Sequence, residues 1–198
     1  MNMNRYTSDY IVFAAGICNL TEKIDLYPRR IEYNPTGNTV SSIIGKLRQL
    51  KHTYGIKMNI ATLPPAALIK NFHHKNDISN MTPEFKDRLE TQLARQQVSL
   101  LNDIKDINDA IINMNDRFNT ECLEWNRKVF SATLVPKKLR SQAAKSDGKR
   151  KLSFKPSALE DGVHPTEKTR EIWFNRLHEL TVKELKKLTK LAPKKETN

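Results

Sequence analysis

One stretch decides the fold that this sequence predicts: Asp9-Tyr10-Ile11-Val12-Phe13-Ala14-Ala15-Gly16-Ile17-Cys18-Asn19. Its apolar run is continuous and ends at a glycine, which is typical of a strand buried on both faces in a parallel sheet. A helical pattern follows at Thr39–Tyr54, and a second short strand at Lys57–Leu63 is closed by two prolines. Strand, helix and strand at this spacing predict a βαβ unit.

The remaining chain contains two more helices and one more strand. Thr82 and Pro83 predict the start of a helix that reaches Phe118, because threonine caps helices well and proline suits the first position. Its apolar strip indicates burial against the domain's own sheet, with a seam for a partner helix as the alternative. We expect a third strand at Lys128–Val135 and a last helix from Thr166 to Leu191.

Loops are predicted where prolines, glycines or polar residues accumulate. Residues 20–38 contain Pro28, Pro35 and Gly37, so we expect a loop there. The adjacent histidines His73 and His74 are also expected in an exposed loop. Side chains of neighbouring residues point different ways, so we expect no metal site at this pair.

Length and composition indicate one intracellular domain. A chain of 198 residues with 38% hydrophobic residues can bury a sizeable core. We expect residues 1–198 to form a single domain, with residues 137–156 as a basic mobile loop and residues 192–198 as a tail. No apolar run approaches the roughly 20 residues of a membrane span, so we expect no membrane contact. We expect an intracellular protein, and the sequence does not indicate in which compartment. Nothing in the sequence predicts a cofactor.

The net charge of +12 is concentrated in two segments. Residues 136–155 contain eight lysines and arginines and one aspartate, and residues 183–198 contain six lysines and two glutamates. Such patches attract nucleic acids and other polyanions by a term that depends on salt and not on sequence. The residues expected to bind a polyanion are Lys137, Lys138, Arg140, Lys149, Arg150 and Lys151. The alternative is a solvated loop and a solvated helix end.

An acid and a histidine three residues apart precede the last helix, in Asp161-Gly162-Val163-His164-Pro165. A carboxylate that orients a histidine forms half of a nucleophilic hydrolase triad. His164 would act as a base, and Asp161 would hold its ring in one tautomer. The other interpretation is that both residues merely cap the last helix, and their spacing does not decide between the two.

Two stretches resemble the SGNH (GDSL-like) hydrolase family. Asp161 to Thr166, followed by an amphipathic helix, is similar to the last sequence block of that family. Residues 8–19 are similar to its third block, a buried strand that ends in Gly-x-Asn-Asp, and the resemblance covers roughly residues 8–190. It implies a three-layer α/β/α fold with a short parallel sheet, of the flavodoxin-like SGNH hydrolase type, truncated at its N-terminus and extended by a long helix.

The same resemblance implies ester or acetyl hydrolysis, with roles for four residues. Asp161 and His164 would be catalytic, and Gly16 and Asn19 would donate hydrogen bonds to the oxyanion. The family's Gly-Asp-Ser nucleophile turn does not occur in this sequence, and Cys18 occupies the family's asparagine position. The serines of the chain fit the nucleophile poorly, because Ser8 would lie at the wrong end of the sheet, Ser131 within a strand, and Ser41 and Ser42 near a helix start without a strained turn. Cys18 lies at a carboxyl strand end, but we expect it to be a buried small hydrophobe.

Three functions remain open. The leading hypothesis is an inactive SGNH-like binding or structural module whose open sheet edge pairs with a partner chain or a second copy, or is covered by the helix at 82–118. The second is an active serine esterase or acetyl-hydrolase whose serine comes from a missing N-terminal segment or a partner. The third is a basic nucleic-acid-binding protein, although few aromatic residues accompany the lysines.

Overall fold

The chain has a mixed α/β fold, shown by a computed structural model that describes residues 10–14, 17–125, 130–134 and 150–191. No helix in this described part combines the length and apolar content that a bilayer span requires. The strands are β1 (Ile11–Phe13), β2 (Thr21–Ile24), β3 (Arg30–Tyr33), β4 (Met58–Ile60), β5 (Phe130–Leu134) and β6 (Arg150–Phe154). The helices are α1 (Thr39–Tyr54), α2 (Leu68–Lys75), α3 (Pro83–Arg117) and α4 (Glu167–Leu191).

The predicted βαβ unit is confirmed. Strand β1 pairs in parallel with β4, and α1 lies in the connection between them. In the register, Ile11 is opposite Met58 and Phe13 is opposite Ile60. The ladder continues one residue further, where the Ala61 N–H donates to the Phe13 carbonyl at 2.9 Å.

Helices cover both faces of this short parallel sheet. Ile11 and Phe13 pack into the main core with residues of α1 and α3. Val12 lies between them in sequence and packs instead with Leu177 and Leu180 of α4. Successive side chains of a strand point to opposite faces, so the continuous apolar run of β1 reflects burial on both sides.

Helix α3 begins and packs as its sequence predicts. The Thr82 hydroxyl accepts a hydrogen bond from the Phe85 N–H at 3.4 Å, and Pro83 occupies the first turn. The apolar strip of α3 is buried within this chain. This confirms the first prediction, burial against the chain's own residues, and not the alternative of a seam for a partner helix. The buried members of the strip are Leu93, Leu100, Ile104, Ile107, Ile111 and Met114.

Two buried asparagines interrupt that strip and bind main-chain groups at the end of β4 and just after it. The Asn115 amide donates to the Ile60 carbonyl at 2.7 Å and accepts from the Ile60 N–H at 3.2 Å. The Asn108 amide pairs in the same way with Leu63, at 2.9 and 2.6 Å. Each amide thus satisfies both hydrogen-bonding groups of one buried residue, as a neighbouring strand would.

A glutamine on the same helix makes a third contact of this kind. The Gln97 side chain donates to the Ala66 carbonyl at 2.7 Å and accepts from the Leu68 N–H at 2.8 Å. Residues 97, 108 and 115 share one helix face because they are about three and two turns apart. We call these contacts of Gln97, Asn108 and Asn115 the amide clamps. They hold residues 60–68 along α3, so this helix covers part of the sheet edge.

A lysine is buried where α1 meets β4. Lys51 has no solvent exposure, and its ammonium group donates to the Met58 carbonyl and, at 2.8 Å, to the Thr120 hydroxyl. Burial lowers the pKa of Lys51 to about 8, against a smaller opposing effect of Glu184. These bonds attach the last turn of α1 to the start of β4.

The prediction of a loop over residues 20–38 is wrong in part, because β2 and β3 form an antiparallel hairpin there. Thr21 is opposite Tyr33, and Ile24 is opposite Arg30. Prolines and glycines led to the loop prediction. Only β3 alternates polar and apolar residues, and it does so over four residues, a signal too short to outweigh the prolines and glycines.

The predicted third strand exists as β5 but does not join the parallel sheet. It pairs antiparallel with β6, from Phe130 opposite Phe154 to Leu134 opposite Arg150. The expected basic loop at 137–156 is therefore a strand over residues 150–154, and residues 137–149 lie outside the described residues. The alternation Phe-Ser-Ala-Thr-Leu suits such a hairpin better than a strand buried on both faces. Instead, the segment around Leu123 lies beside β4, where its carbonyl accepts from the Thr62 N–H at 3.0 Å.

Two local expectations are also corrected. His73 and His74 are exposed as expected, but they lie in α2, whose residues Leu68 and Phe72 are fully buried. A buried pair four residues apart favours a helix over a loop. Cys18 is exposed, which contradicts its prediction as a buried hydrophobe.

We expect the amide clamps to contribute strongly to stability. Replacing Asn108 by alanine leaves the buried N–H and C=O of Leu63 without partners, so the free energy of unfolding should fall by about 2–4 kcal/mol. Asn102→Ala is the matched control, because Asn102 lies exposed on the same helix and its replacement should change stability by less than about 0.5 kcal/mol. Urea unfolding measures both, and equal values would show that the clamp at Leu63 is dispensable.

Candidate functional site

The candidate site is a tight loop that joins β6 to α4. Leu159 and Pro165 form an isolated antiparallel bridge. The Glu160 N–H donates to the His164 carbonyl at 2.6 Å, and the Thr166 N–H donates to the Ala158 carbonyl at 3.0 Å. These bonds close the loop around Asp161 and His164 just before α4 begins.

Helix α2 fixes the position of this loop. The Ala67 N–H at the start of the helix donates to the Gly162 carbonyl at 2.6 Å. The buried Asn71 amide donates to the Asp161 carbonyl at 3.1 Å. Lys70 donates to the Leu159 carbonyl at 2.5 Å. Three side-chain and main-chain donors of α2 thus bind the main chain of the loop.

Gly162 allows this close approach. Its φ is +88°, a conformation that side chains disfavour. A Cβ atom at this position would lie 2.6 Å from the Ala67 carbonyl oxygen and 2.6 Å from the Asn71 nitrogen. The glycine between Asp161 and Val163 is therefore required by both backbone conformation and contact with α2.

Asp161 and His164 form a direct pair. One carboxylate oxygen of Asp161 accepts from the main-chain N–H groups of Val163 at 3.0 Å and His164 at 2.8 Å. The other oxygen lies 2.9 Å from Nδ1 of the His164 ring. Burial of the carboxyl group acts to raise its pKa, but these three hydrogen bonds outweigh burial and hold the pKa of Asp161 well below its usual range.

The two residues do not cap the last helix. The cap is supplied by Thr166, whose hydroxyl accepts from the Thr169 N–H at 3.4 Å. The His164 side chain is 73% exposed, whereas that of Asp161 is 12% exposed. Among the described residues, no hydrogen bond is made to Nε2 of His164. The pair therefore has the geometry in which a carboxylate orients an imidazole whose second nitrogen remains accessible.

A cavity of about 300 Å³ lies beside this pair. Its floor includes Asp161, His164 and Asn71, and Ile24, Ile31 and Val163 form its apolar wall. Asp25 and four cationic side chains complete the lining, the cations being Lys23, Arg29, Arg30 and Lys75. The β2–β3 hairpin supplies three of these cations, so the cavity lies between that hairpin, α2 and the loop of Asp161.

One asparagine attaches the hairpin to α2. The Asn76 side chain accepts from the Arg29 N–H at 2.8 Å and donates to the Arg29 carbonyl at 2.6 Å. The same amide nitrogen donates to the Phe72 carbonyl of α2 at 2.6 Å. Arg29 and Lys75 therefore reach the cavity from adjoining positions on two connected elements.

The structure does not unite the other predicted site residues with this pair. Asn19 is exposed and lines a different cavity of about 470 Å³, together with Ser42. Gly16 lies outside the described residues. The role of Asn19 as an oxyanion donor stays a prediction, and Asn19 does not line the cavity beside His164.

The predicted polyanion-binding residues are mostly outside the described part of the chain. Lys137, Lys138, Arg140 and Lys149 fall there, whereas Arg150 and Lys151 lie in β6. Within the described residues, no group of three or more histidines, cysteines, aspartates or glutamates is arranged to hold a metal ion.

No protein-family model, curated protein or solved structure matches this chain. Membership of the SGNH-type hydrolases therefore stays a prediction that rests on residues 8–19 and on Asp161 to Thr166. The hydrogen bond between Asp161 and His164 is consistent with that prediction.

We expect Gly162 to be intolerant of substitution. Gly162→Ala combines a disfavoured φ with two short contacts to main-chain atoms, so it should lower the free energy of unfolding by about 2–4 kcal/mol. Gly37→Ala separates the two effects, because Gly37 also has a positive φ but has open space around it, and it should cost about 1 kcal/mol.

Gly45→Ala provides the opposite control. Gly45 lies within α1 with no atom within 4 Å of an added Cβ, so alanine should stabilise the protein by up to about 1 kcal/mol. Thermal or urea unfolding gives all three values. Equal effects at Gly37 and Gly162 would refute the steric role of α2.

The Asp161 carboxylate predicts a defined pH dependence. Its pKa is lower in the folded than in the unfolded chain, so its stabilisation is complete above about pH 4 and is lost as the pH falls towards the folded value. Asp161→Asn should lower the free energy of unfolding by about 2 kcal/mol at pH 7. The difference from the natural chain should narrow at pH 3.

Urea unfolding at the two pH values tests this expectation. Asp106→Asn is the control, since Asp106 is exposed and its replacement should have little effect at either pH. If the difference for Asp161→Asn is the same at pH 3 and pH 7, the negative charge of Asp161 is not the source of the stabilisation.

Proposed function

We propose that this chain is an SGNH-hydrolase-like α/β domain that binds a small molecule beside Asp161 and His164 without hydrolysing it. The parallel β1–β4 pair with helices on both faces, followed by an acid–histidine pair directly before the last helix, supports this assignment. The order of these elements is the order that the resemblance implies.

The observation that carries the proposal is the lining of the cavity beside His164. Among the described residues that line it, none is a serine, threonine or cysteine. Ser42 lines the separate cavity that contains Asn19, and Cys18 does not line the cavity of His164. An oriented imidazole can hydrogen-bond a ligand, but among the described lining residues it has no side-chain hydroxyl or thiol to activate for covalent catalysis.

An active esterase is the second candidate, and one feature favours it. Asp161 holds Nδ1 of His164, and the ring is largely exposed. A serine supplied by a residue outside the described part, or by a partner chain, would need this accessible Nε2 as its base. In the described residues, β1 pairs only with β4, and pairing of its other edge with a partner chain stays a prediction.

Nucleic-acid binding receives less support from the described residues. Basic residues of α4 line a groove of about 600 Å³, including Lys183, Lys186, Lys187 and Lys190. Two of these lysines have carboxylate partners, because Lys183 contacts Glu121 and Lys187 lies 2.6 Å from Glu184. This pairing lowers the positive charge that the helix offers to a polyanion.

An activated fluorophosphonate probe distinguishes binding from catalysis. We expect no covalent adduct by intact mass after treatment of the folded chain, and no hydrolysis of an aryl acetate beyond that of His164→Ala. Circular dichroism confirms that both proteins are folded. An adduct that maps to one residue and disappears in His164→Ala would establish the esterase in place of the binding domain.

A further inference from the structure

The cavity beside His164 is electrostatically unbalanced. Two of its four cations have carboxylate partners, since Lys23 pairs with Asp25 at 2.8 Å and the Arg30 guanidinium pairs with Glu32. Arg29 and Lys75 have no such partner among the described residues. Arg29 and Lys75 therefore add two unpaired positive charges to the lining, and these outweigh the one negative charge of Asp161, whose carboxylate is hydrogen-bonded to His164.

These two charges are held together by the fold. The Asn76 amide binds both main-chain groups of Arg29 and also the end of α2, where Lys75 is the last residue. The Arg29 and Lys75 side chains are long and exposed, but the main-chain atoms of these two residues stay close together while the Asn76 hydrogen bonds are formed. The contact between the hairpin and α2 therefore places both side chains at the same cavity.

A buried polar atom on the same cavity also lacks a partner. Asn71 is 2% exposed and donates to the Asp161 carbonyl, but its side-chain oxygen makes no hydrogen bond. A buried acceptor without a partner is costly until a donor reaches it. This oxygen has almost no exposed surface, so a ligand hydroxyl reaches it only when the Asn71 side chain turns towards the cavity. The apolar residues Ile24, Ile31 and Val163 would accommodate a hydrocarbon group.

We propose that this cavity binds a small organic oxyanion, a carboxylate or phosphate that bears an apolar group and a hydroxyl. Arg29 and Lys75 bind the anionic group, and His164 lies beside them. The volume of about 300 Å³ is at the lower end of the range for small-molecule sites. This assignment rests on the proposed function and specifies the class of ligand for the same site.

Titration calorimetry with three probes tests the ligand class. Mandelate carries a carboxylate, a hydroxyl and a phenyl ring, and phenyl phosphate carries a different oxyanion on the same ring. The neutral control is 1-phenyl-1,2-ethanediol, which keeps the ring and the hydroxyl. We expect at least one oxyanion to bind and the diol to bind at least tenfold more weakly. Binding of the diol with the affinity of mandelate, or binding of neither oxyanion, would overturn the proposal.

Four variants locate the binding site. Arg29→Gln and Lys75→Gln should each weaken oxyanion binding about tenfold, the effect of losing one hydrogen bond to a charged group. Arg48→Gln and Lys57→Gln remove exposed charges that do not line this cavity and should leave binding unchanged. Equal losses in all four variants would indicate a general effect of net charge and would overturn the assignment to this cavity.

The calorimetry and the fluorophosphonate labelling test different claims, the first the class of ligand and the second the absence of hydrolysis. Oxyanion binding that depends on Arg29 and Lys75, together with fluorophosphonate labelling, would retain the ligand class but replace the binding domain by an esterase for anionic substrates. Absence of labelling and of oxyanion binding would leave the binding domain in place and remove only the ligand class assigned here.

Discussion

Buried main-chain groups without a strand neighbour constrain this structure more than any other feature. The N–H and C=O groups of Ile60 and Leu63 are buried, and leaving them unpaired would cost several kcal/mol. The amide clamps of α3 satisfy them and continue to Ala66 and Leu68. The clamps therefore determine where residue 67 and the start of α2 lie. Since α2 in turn binds the main chain of Asp161 and Gly162, the position of His164 depends on α3.

Local sequence patterns were sufficient for the elements with long or distinctive signals. The continuous apolar run at Ile11–Phe13, the periodicity of α1 and the Thr82-Pro83 start of α3 each correspond to an observed element. The acid–histidine pair was also predictable, because Asp161 and His164 are only three residues apart and a tight loop brings them together. In these cases the interacting residues are close in sequence, so the pattern itself contains the interaction.

The rest depends on contacts between residues that are distant in sequence. Asn108 and Asn115 read as polar interruptions of an apolar strip, and nothing local indicates that each binds a strand edge. The sequence does not indicate the cavity, because prolines and glycines predict a loop where the hairpin lies, and nothing local relates Arg29 to Lys75. The sequence also does not indicate the pairing of β5 with β6, because these two strands are short and lie far apart along the chain. Long-range pairing of this kind has no signature in a single sequence.

The attachment of the hairpin by Asn76 has a thermodynamic consequence. Helix α2 and the β2–β3 hairpin lie on two sides of the cavity, and the Asn76 side chain is bonded to both. A molecule that contacts Arg29 and Lys75 together binds only while these Asn76 bonds hold the two elements together. Such a molecule and the Asn76 bonds therefore strengthen one another by the same free energy, whichever forms first. Filling the cavity would reduce local opening of residues 21–33, and opening of those residues would release what the cavity holds.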